Sequence, residues 1–162
     1  MRYYNNIIKK NFLGFFIICF VFFLDRSSKA LVISYYDKTG DLYLRMNSFL
    51  NLNLIWNEGI AFGLLSFDEK NYYNLLTFLI IGITLVLLWL MLRSSGLEKL
   101  GFASVIGGSF GNVSDRIFYS SVPDFIDLNY KGFHWFVFNV ADIFITLGVL
   151  ILIVCEFKKK EK

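Results

Sequence analysis

Apolar residues along this chain fall into four long runs separated by shorter polar stretches, and each run is long enough to cross a bilayer. A spanning helix needs about 20 mostly apolar residues. The first run covers 12–35, preceded by Lys9 and Lys10 and broken towards its far end by Asp25, Arg26 and Lys29. It resembles a removable leader, but no small-x-small cleavage site follows Leu24 and the apolar pattern resumes at Ala30, so the expectation is a retained span. The second run, 72–92, contains no charged residue. The third, 100–118, is rich in glycine at Gly107, Gly108 and Gly111, small positions that let neighbouring helices approach closely. The fourth covers 136–157.

Between 36 and 70 the pattern changes. Mixed polar and β-favouring residues appear, Leu50 to Leu54 alternate with period two, and Asn57-Glu58-Gly59 marks a turn. Short strands lying on the membrane surface are predicted there. Residues 120–135, which hold Pro123, read as a polar loop. The predicted fold class is an α-helical membrane protein, a four-transmembrane-helix bundle with a small β-rich periplasmic subdomain, forming one domain over 1–162.

Composition supports a bilayer setting: the 162 residues are 56% hydrophobic and 19% aromatic, too apolar for a soluble domain of this size. The net charge of +3 matters less than where the charges fall. With four spans, Arg2, Lys9, Lys10, Arg93, Lys99, Lys158, Lys159, Lys160 and Lys162 flank one side, against Lys38, Arg45, Lys70 and Lys131 on the other. The positive-inside rule then puts both termini in the cytoplasm. Basic residues cluster at span ends and not on a basic face, which argues against nucleic-acid binding. Cys19 and Cys155 lie inside apolar segments without metal-ligand spacing and read as buried thiols.

This topology gathers the unusual polar residues at one level. Asp25, Lys29, Asn57, Gly59, Asn112, Asp115, Arg116, Asp124, Asp127, Asn139 and Asp142 all come to the outer ends of spans or the outer loops. Ionisable groups within spans are costly and generally face the bundle interior or a wet cavity. Asp142 is expected about 9 Å inside the fourth span, at 1.5 Å per residue. Two carboxylates meeting in a low-dielectric site share a proton, so that one activates water while the other polarises a carbonyl. Asp124 and Asp142 fit that scheme. Asp115 and Asp127 are expected to be structural, Asp127 as a helix cap or loop-orienting group, and His134 reads as interfacial. A proton relay or transporter using Asp25, Asp115 and Asp142 is the alternative, and a non-enzymatic assembly factor a second; the inner halves of the spans hold no ionisable path.

Five segments then carry a resemblance: Asp25-Arg26-Ser27-Ser28-Lys29, Asn57 through Gly63, Gly107 through Arg116, Val122 through Asp127, and Phe138-Asn139-Val140-Ala141-Asp142. In that order they resemble the motifs of the bacterial lipoprotein signal peptidase (signal peptidase II) family. The resemblance implies an aspartyl endopeptidase that cleaves prolipoproteins before a diacylglyceryl-modified cysteine, without a metal or organic cofactor. It makes Asp124 and Asp142 the catalytic pair and Asn112, Arg116 and Asn139 substrate-binding. Asp25, Lys29, Asn57, Gly59 and Asp115 support the site. The implied partners are diacylglyceryl-modified prolipoproteins and membrane lipids, with the chain expected as a monomer in the inner membrane and its site at the periplasmic face. Ser114 and Pro123 depart from the family's usual residues.

Overall fold

The computed structural model describes residues 2–59, 70–131 and 133–160. The described residues form four helices and four strands, in the order α1 (Arg2–Thr39), β1 (Tyr43–Arg45), β2 (Leu50–Asn57), α2 (Lys70–Arg93), α3 (Gly96–Tyr119), β3 (Val122–Tyr130), β4 (Phe133–Phe138) and α4 (Val140–Lys160). The protein is thus mostly helical with one small antiparallel sheet, ordered β1-β2-β3-β4. Among the described residues two helices, Tyr73–Arg93 and Val140–Lys160, are long and apolar enough to cross a membrane. The other two interrupt their apolar runs with Asp25, Arg26 and Lys29 in α1 and Asp115 and Arg116 in α3.

Helix bounds depart from the expected spans in physically informative ways. α1 has 38 residues, about 57 Å at 1.5 Å per residue, so it extends past the expected 12–35 at both ends. The expected fourth span began at 136, but Phe136 to Phe138 belong to β4 and the helix starts only at Val140. Phe133–Phe138 is a short aromatic run that periodicity cannot assign to helix or strand; pairing with β3 decides it. The stretch expected as a polar loop therefore supplies half of the sheet. Its β3 pairs with β2 through Ile55 opposite Asp124 and Asn57 opposite Val122. β4 covers β3 only from Ile126 onward, so Pro123, which cannot donate to a ladder, lies where β3 is paired on one side.

The molecule is turned inside out relative to a soluble protein. Phe12, Phe15, Phe16, Phe20 and Phe23 on α1 and Leu75, Phe78 and Leu79 on α2 are exposed, while Asp25, Lys29, Asp115 and Asn139 are fully buried. A continuous exposed apolar belt of this kind marks a lipid-facing surface. Cys19 also faces outward, which corrects the expectation of a buried thiol: it sits on the lipid-facing side of α1. Inside, Ile18, Met91, Ala103 and Ile106 form one apolar cluster among α1, α2 and α3, and Val32, Leu42 and Phe125 form another beneath the sheet.

α3 is the central helix, packed against the other three and most extensively against α4. Glycine permits that closeness, as the sequence pattern led us to expect. A Cβ on Gly108 would lie 2.5 Å from the Ala141 carbonyl oxygen and 2.8 Å from the Ile145 side chain. A Cβ on Gly82, in the middle of α2, would meet nothing within 4 Å. Gly108→Ala is expected to destabilise the fold by about 1–3 kcal/mol through overpacking. Gly82→Ala should be neutral or stabilising by up to about 1 kcal/mol through helix propensity. Denaturation of the two variants in the same detergent checks the contrast; equal losses would show that the α3–α4 approach is not the constraint.

Candidate active site

The site is built on the first turn of α4. A helix start leaves backbone N–H groups without partners, and here those of Ala141 and Asp142 donate to side-chain oxygens. Asp142 N–H donates to Asn139 Oδ1 at 3.1 Å, and Asn139 N–H donates back to Asp142 Oδ2 at 3.1 Å. This is the reciprocal geometry of a capping box, with Asn and Asp in the two roles. Between them, Ala141 N–H donates to Asp25 Oδ1 at 3.0 Å. Asp25 reaches α4 from α1 by passing Gly111, where a Cβ would collide with its carboxylate. Asp142 therefore sits in the first turn of α4 and not the expected 9 Å inside a span, because that helix begins four residues later than its apolar run.

Behind Asp25 lies a buried ionic cluster joining α1 to α3. Lys29 Nζ is 2.9 Å from Asp25 Oδ2, 2.7 Å from Asp115 Oδ2 and 2.8 Å from Asn112 Oδ1. An ammonium has three donors, and these three acceptors use all of them. Arg26 completes the cluster, 2.5 Å from Asp115 Oδ1 and 3.3 Å from Asp25 Oδ2. Two acids and two bases neutralise one another, which offsets part of the cost of burying them. The Lys29 contact also fixes which way Asn112 points. With its oxygen held by a cation, its amide nitrogen faces Asp142 and donates to Oδ1 at 2.9 Å.

Asp124 arrives from β3 and is almost fully buried. Its Oδ1 accepts from Asn139 Nδ2 at 2.6 Å and its Oδ2 from Asn57 Nδ2 at 3.0 Å. Asn139 consequently touches both acids, one through its side-chain nitrogen and the other through its side-chain oxygen and backbone N–H. Burial, reinforced by the Asp142 charge, pushes the Asp124 pKa up to about 6. The hydrogen bonds from Asn57 and Asn139 act in the opposite direction. A carboxyl group so placed takes up a proton far more readily than a solvated aspartate.

The other expected residues fall at or near this centre. Arg116 donates to the Gly59 carbonyl at 3.0 Å and to its own helix at the Asn112 carbonyl at 3.2 Å, and Gly59 N–H donates to Asn57 Oδ1 at 2.9 Å. Arg116 thus ties the Asn57–Gly59 turn to α3. Asn57 is more than a turn residue, since its amide nitrogen is bonded to Asp124. Residues 60–63 of the expected motif lie outside the described residues. Asp127 caps no helix; it lies in β3, where Asn51 donates to it at 3.0 Å and His134 Nδ1 lies 2.8 Å away. His134 is therefore partnered and not merely interfacial. Sequence reasoning assigned no role to Arg26, although it stands next to Asp25 in the first motif and its charge is opposite to that of Asp115 on α3.

A lipid-exposed helical bundle, a surface sheet and two aspartates bridged by one asparagine describe a membrane-embedded enzyme. Comparison with known proteins is specific about which kind. The family model described as Signal peptidase (SPase) II matches residues 17–158. The chain is 49% identical over 153 residues to a lipoprotein signal peptidase of Pelagibacter ubique, covering 94% of this chain and 92% of that one. It is 34% identical to the corresponding protein of Francisella tularensis, covering 97% and 99%. A solved structure of a bacterial membrane enzyme superposes with a TM-score of 0.75 at 26% identity, over 91% of this chain and 89% of the other. The chain belongs to the signal peptidase II family. It is a bacterial membrane protease that removes signal peptides from prolipoproteins.

The contacts around Asp124 set opposite expectations for two substitutions. Asp142→Asn removes a like charge and should lower the Asp124 titration midpoint from about 6. Asn57→Ala removes a donor to the ionised form and should raise it. Carboxyl-selective infrared or carbon-13 titration of the two purified variants reads both signs; shifts in the same direction would contradict the geometry.

Proposed function

We propose that Asp124 and Asp142 are the catalytic pair of an aspartic peptidase that cleaves immediately before a diacylglyceryl-modified cysteine. The observation that carries this is Asn139, which donates to both carboxylates, to Asp124 through its side-chain amide and to Asp142 through its backbone N–H. Asp142 is partly open while Asp124 is buried, so the pair has one face towards an incoming peptide. Held together at low dielectric, the two share a single proton. The ionised member removes a proton from a water molecule, whose oxygen attacks the scissile carbonyl carbon. The protonated member donates to the carbonyl oxygen, and the leaving amine is protonated as the carbon–nitrogen bond breaks. The pair acts as a unit, so neither residue is assigned a fixed role.

In this reading Asn112, Arg116 and Asn139 line the cleft that receives the peptide, and the Asp25–Lys29–Asp115 cluster fixes its floor. All four helices cross the membrane, with both termini in the cytoplasm and the sheet on the periplasmic face. The chain forms one domain, acts as a monomer, touches membrane lipid along its exposed belt and requires no cofactor. The charge asymmetry of its span ends supports this orientation.

Asp124→Asn and Asp142→Asn should each lower cleavage of a purified diacylglyceryl-prolipoprotein by about 10²–10⁴-fold or more, with membrane insertion and melting temperature retained. A folded variant cleaving at the wild-type rate would remove that residue from the pair. An unlipidated prolipoprotein, incubated in parallel, should be cleaved far more slowly by the wild-type protein; equal rates would contradict recognition of the modified cysteine.

A further inference from the structure

The hairpin tips at the far end of the sheet meet in a pocket that the reaction does not use. The turn between β1 and β2 is fixed by Asn47, whose side-chain oxygen accepts from the N–H groups of Phe49 and Leu50 at 2.8 and 2.9 Å. β3 turns back at Lys131, whose φ of 51° is left-handed. Asn129 N–H donates to the Phe49 carbonyl at 2.8 Å, and Tyr130 stacks on Phe49 with ring centroids 6.0 Å apart. The two tips are thereby locked side by side. Between them lies a cavity of about 420 Å³ lined by Arg45, Ser48, Phe49, Asn129, Tyr130 and Lys131, within the size range of small-ligand sites. Counted along β3 at about 3.4 Å per residue, it lies about 20 Å from Asp124.

The lining is chemically one-sided. Arg45 and Lys131 are both exposed, and no acidic side chain lines the cavity. Neither cation is ion-paired with another described residue. Lys131 Nζ lies 5.4 Å from the centroid of the Tyr130 ring, a cation–π contact that restrains it beside the cavity. Basic residues are scarce on this side of the chain: of Lys38, Arg45, Lys70 and Lys131, two converge here from different hairpins. Met46, Phe49, Tyr130 and Phe133 are exposed around them, and aromatic side chains of this kind settle at headgroup level.

We infer that this pocket binds the phosphate of an anionic phospholipid headgroup, held between Arg45 and Lys131. The inference rests on the reading that the helices cross a bilayer with the sheet at its surface; it needs neither the acid pair nor a choice between the two membrane faces. A guanidinium matches two phosphate oxygens at once and an ammonium adds a point charge, while the Ser48 hydroxyl supplies a further donor. A zwitterionic headgroup brings its own cation to the same place, so two protein cations favour a headgroup with net negative charge. A free phosphate ion has no use for the apolar rim, and neither has an acidic peptide segment in solution. A lipid phosphate arrives with a glycerol backbone and chains that Met46, Phe49 and Phe133 can meet. Binding there holds down the sheet that carries Asn57 and Asp124.

The test places the purified protein in nanodiscs of equal parts phosphatidylglycerol and phosphatidylcholine and counts, by native mass spectrometry, the lipids that stay bound on release. The wild-type protein should retain phosphatidylglycerol preferentially. Arg45→Gln and Lys131→Gln should each lower the retained ratio about fivefold, the contribution of one basic residue at an anionic surface. Lys38→Gln, which removes an exposed cation outside the cavity, should leave the ratio unchanged. Melting temperatures identify any variant that fails to fold, and two cavity positions keep the test decisive. No preference in the wild type overturns the proposal, and so does an equal loss from Lys38→Gln, which would mean diffuse attraction to charge. Inorganic phosphate added to phosphatidylcholine discs should not raise the melting temperature; a rise matching that from phosphatidylglycerol would make the ligand a free anion. A prolipoprotein with an acidic segment after its modified cysteine should show the same KM with the wild type and Arg45→Gln in phosphatidylcholine discs; a higher KM for the variant would transfer the pocket to the substrate. Asp124→Asn should keep the lipid preference, whatever it does to cleavage, so the pocket and the acid pair fail separately. A protein that enters no disc sinks the spanning reading and this inference with it, whereas one that enters and shows no preference sinks this inference alone.

Discussion

The arrangement depends on how the first turn of α4 is satisfied. Its N–H groups need acceptors, and the fold supplies them from Asn139, which precedes the helix, and from Asp25, which lies on a different helix. Negative charge at a helix start is also favoured by the helix dipole. Capping and chemistry are thereby combined: Asp142, which closes the capping box, is one of the two acids, and Asn139, its reciprocal partner, holds the other. A residue that completes a helix cap has little rotational freedom, so the cap itself helps to position Asp142, together with the Asn112 amide. The same constraint explains why α3 carries glycine opposite Asp25 and Ala141. Any side chain there would separate the three helices whose ends build the site.

Burying Asp25, Lys29 and Asp115, with Arg26 half-buried beside them, would be costly if they were not matched. Asp25, Asp115, Lys29 and Arg26 are matched in sign and ion-paired with one another. Removing one member leaves an uncompensated charge, which is far worse than never having had the pair. The cluster therefore acts as an all-or-none support. Its reach into the site runs through Asn112, whose oxygen is claimed by Lys29 so that its nitrogen is free to serve Asp142. An amide is well suited to this position because it converts a cation on one side into a neutral donor on the other, holding the carboxylate without placing a positive charge against it.

Much of this was legible in the sequence because bilayer physics is strict about helices. The apolar runs and the small residues of α3 follow from the cost of exposing polar groups to lipid, and described residues of the five segments come together at one end of the bundle. The second half of the sheet was not legible. Phe133–Phe138 is aromatic or apolar at every position but His134, so the alternation that reveals a half-buried strand is missing. That run continues directly into α4, which drew the expected span forward to 136 and put Asp142 too deep. Asn57 was read for its turn-forming habit, whereas its bond to Asp124 arises from a cross-strand register that no local pattern encodes. Arg26 was passed over because ion pairing between helices depends on their rotation about their axes.

The strand that evaded the sequence reading is also what makes the site a membrane site. β3 presents Asp124 and α4 presents Asp142, and the two elements meet at Asn139, the residue where β4 gives way to helix. Neither a helix pair nor a sheet alone could bring these two acids to one residue. Asp124, on the sheet, is almost fully buried, whereas Asp142, on the helix, is partly open. The remaining opening lies beside Asp142 and along α4.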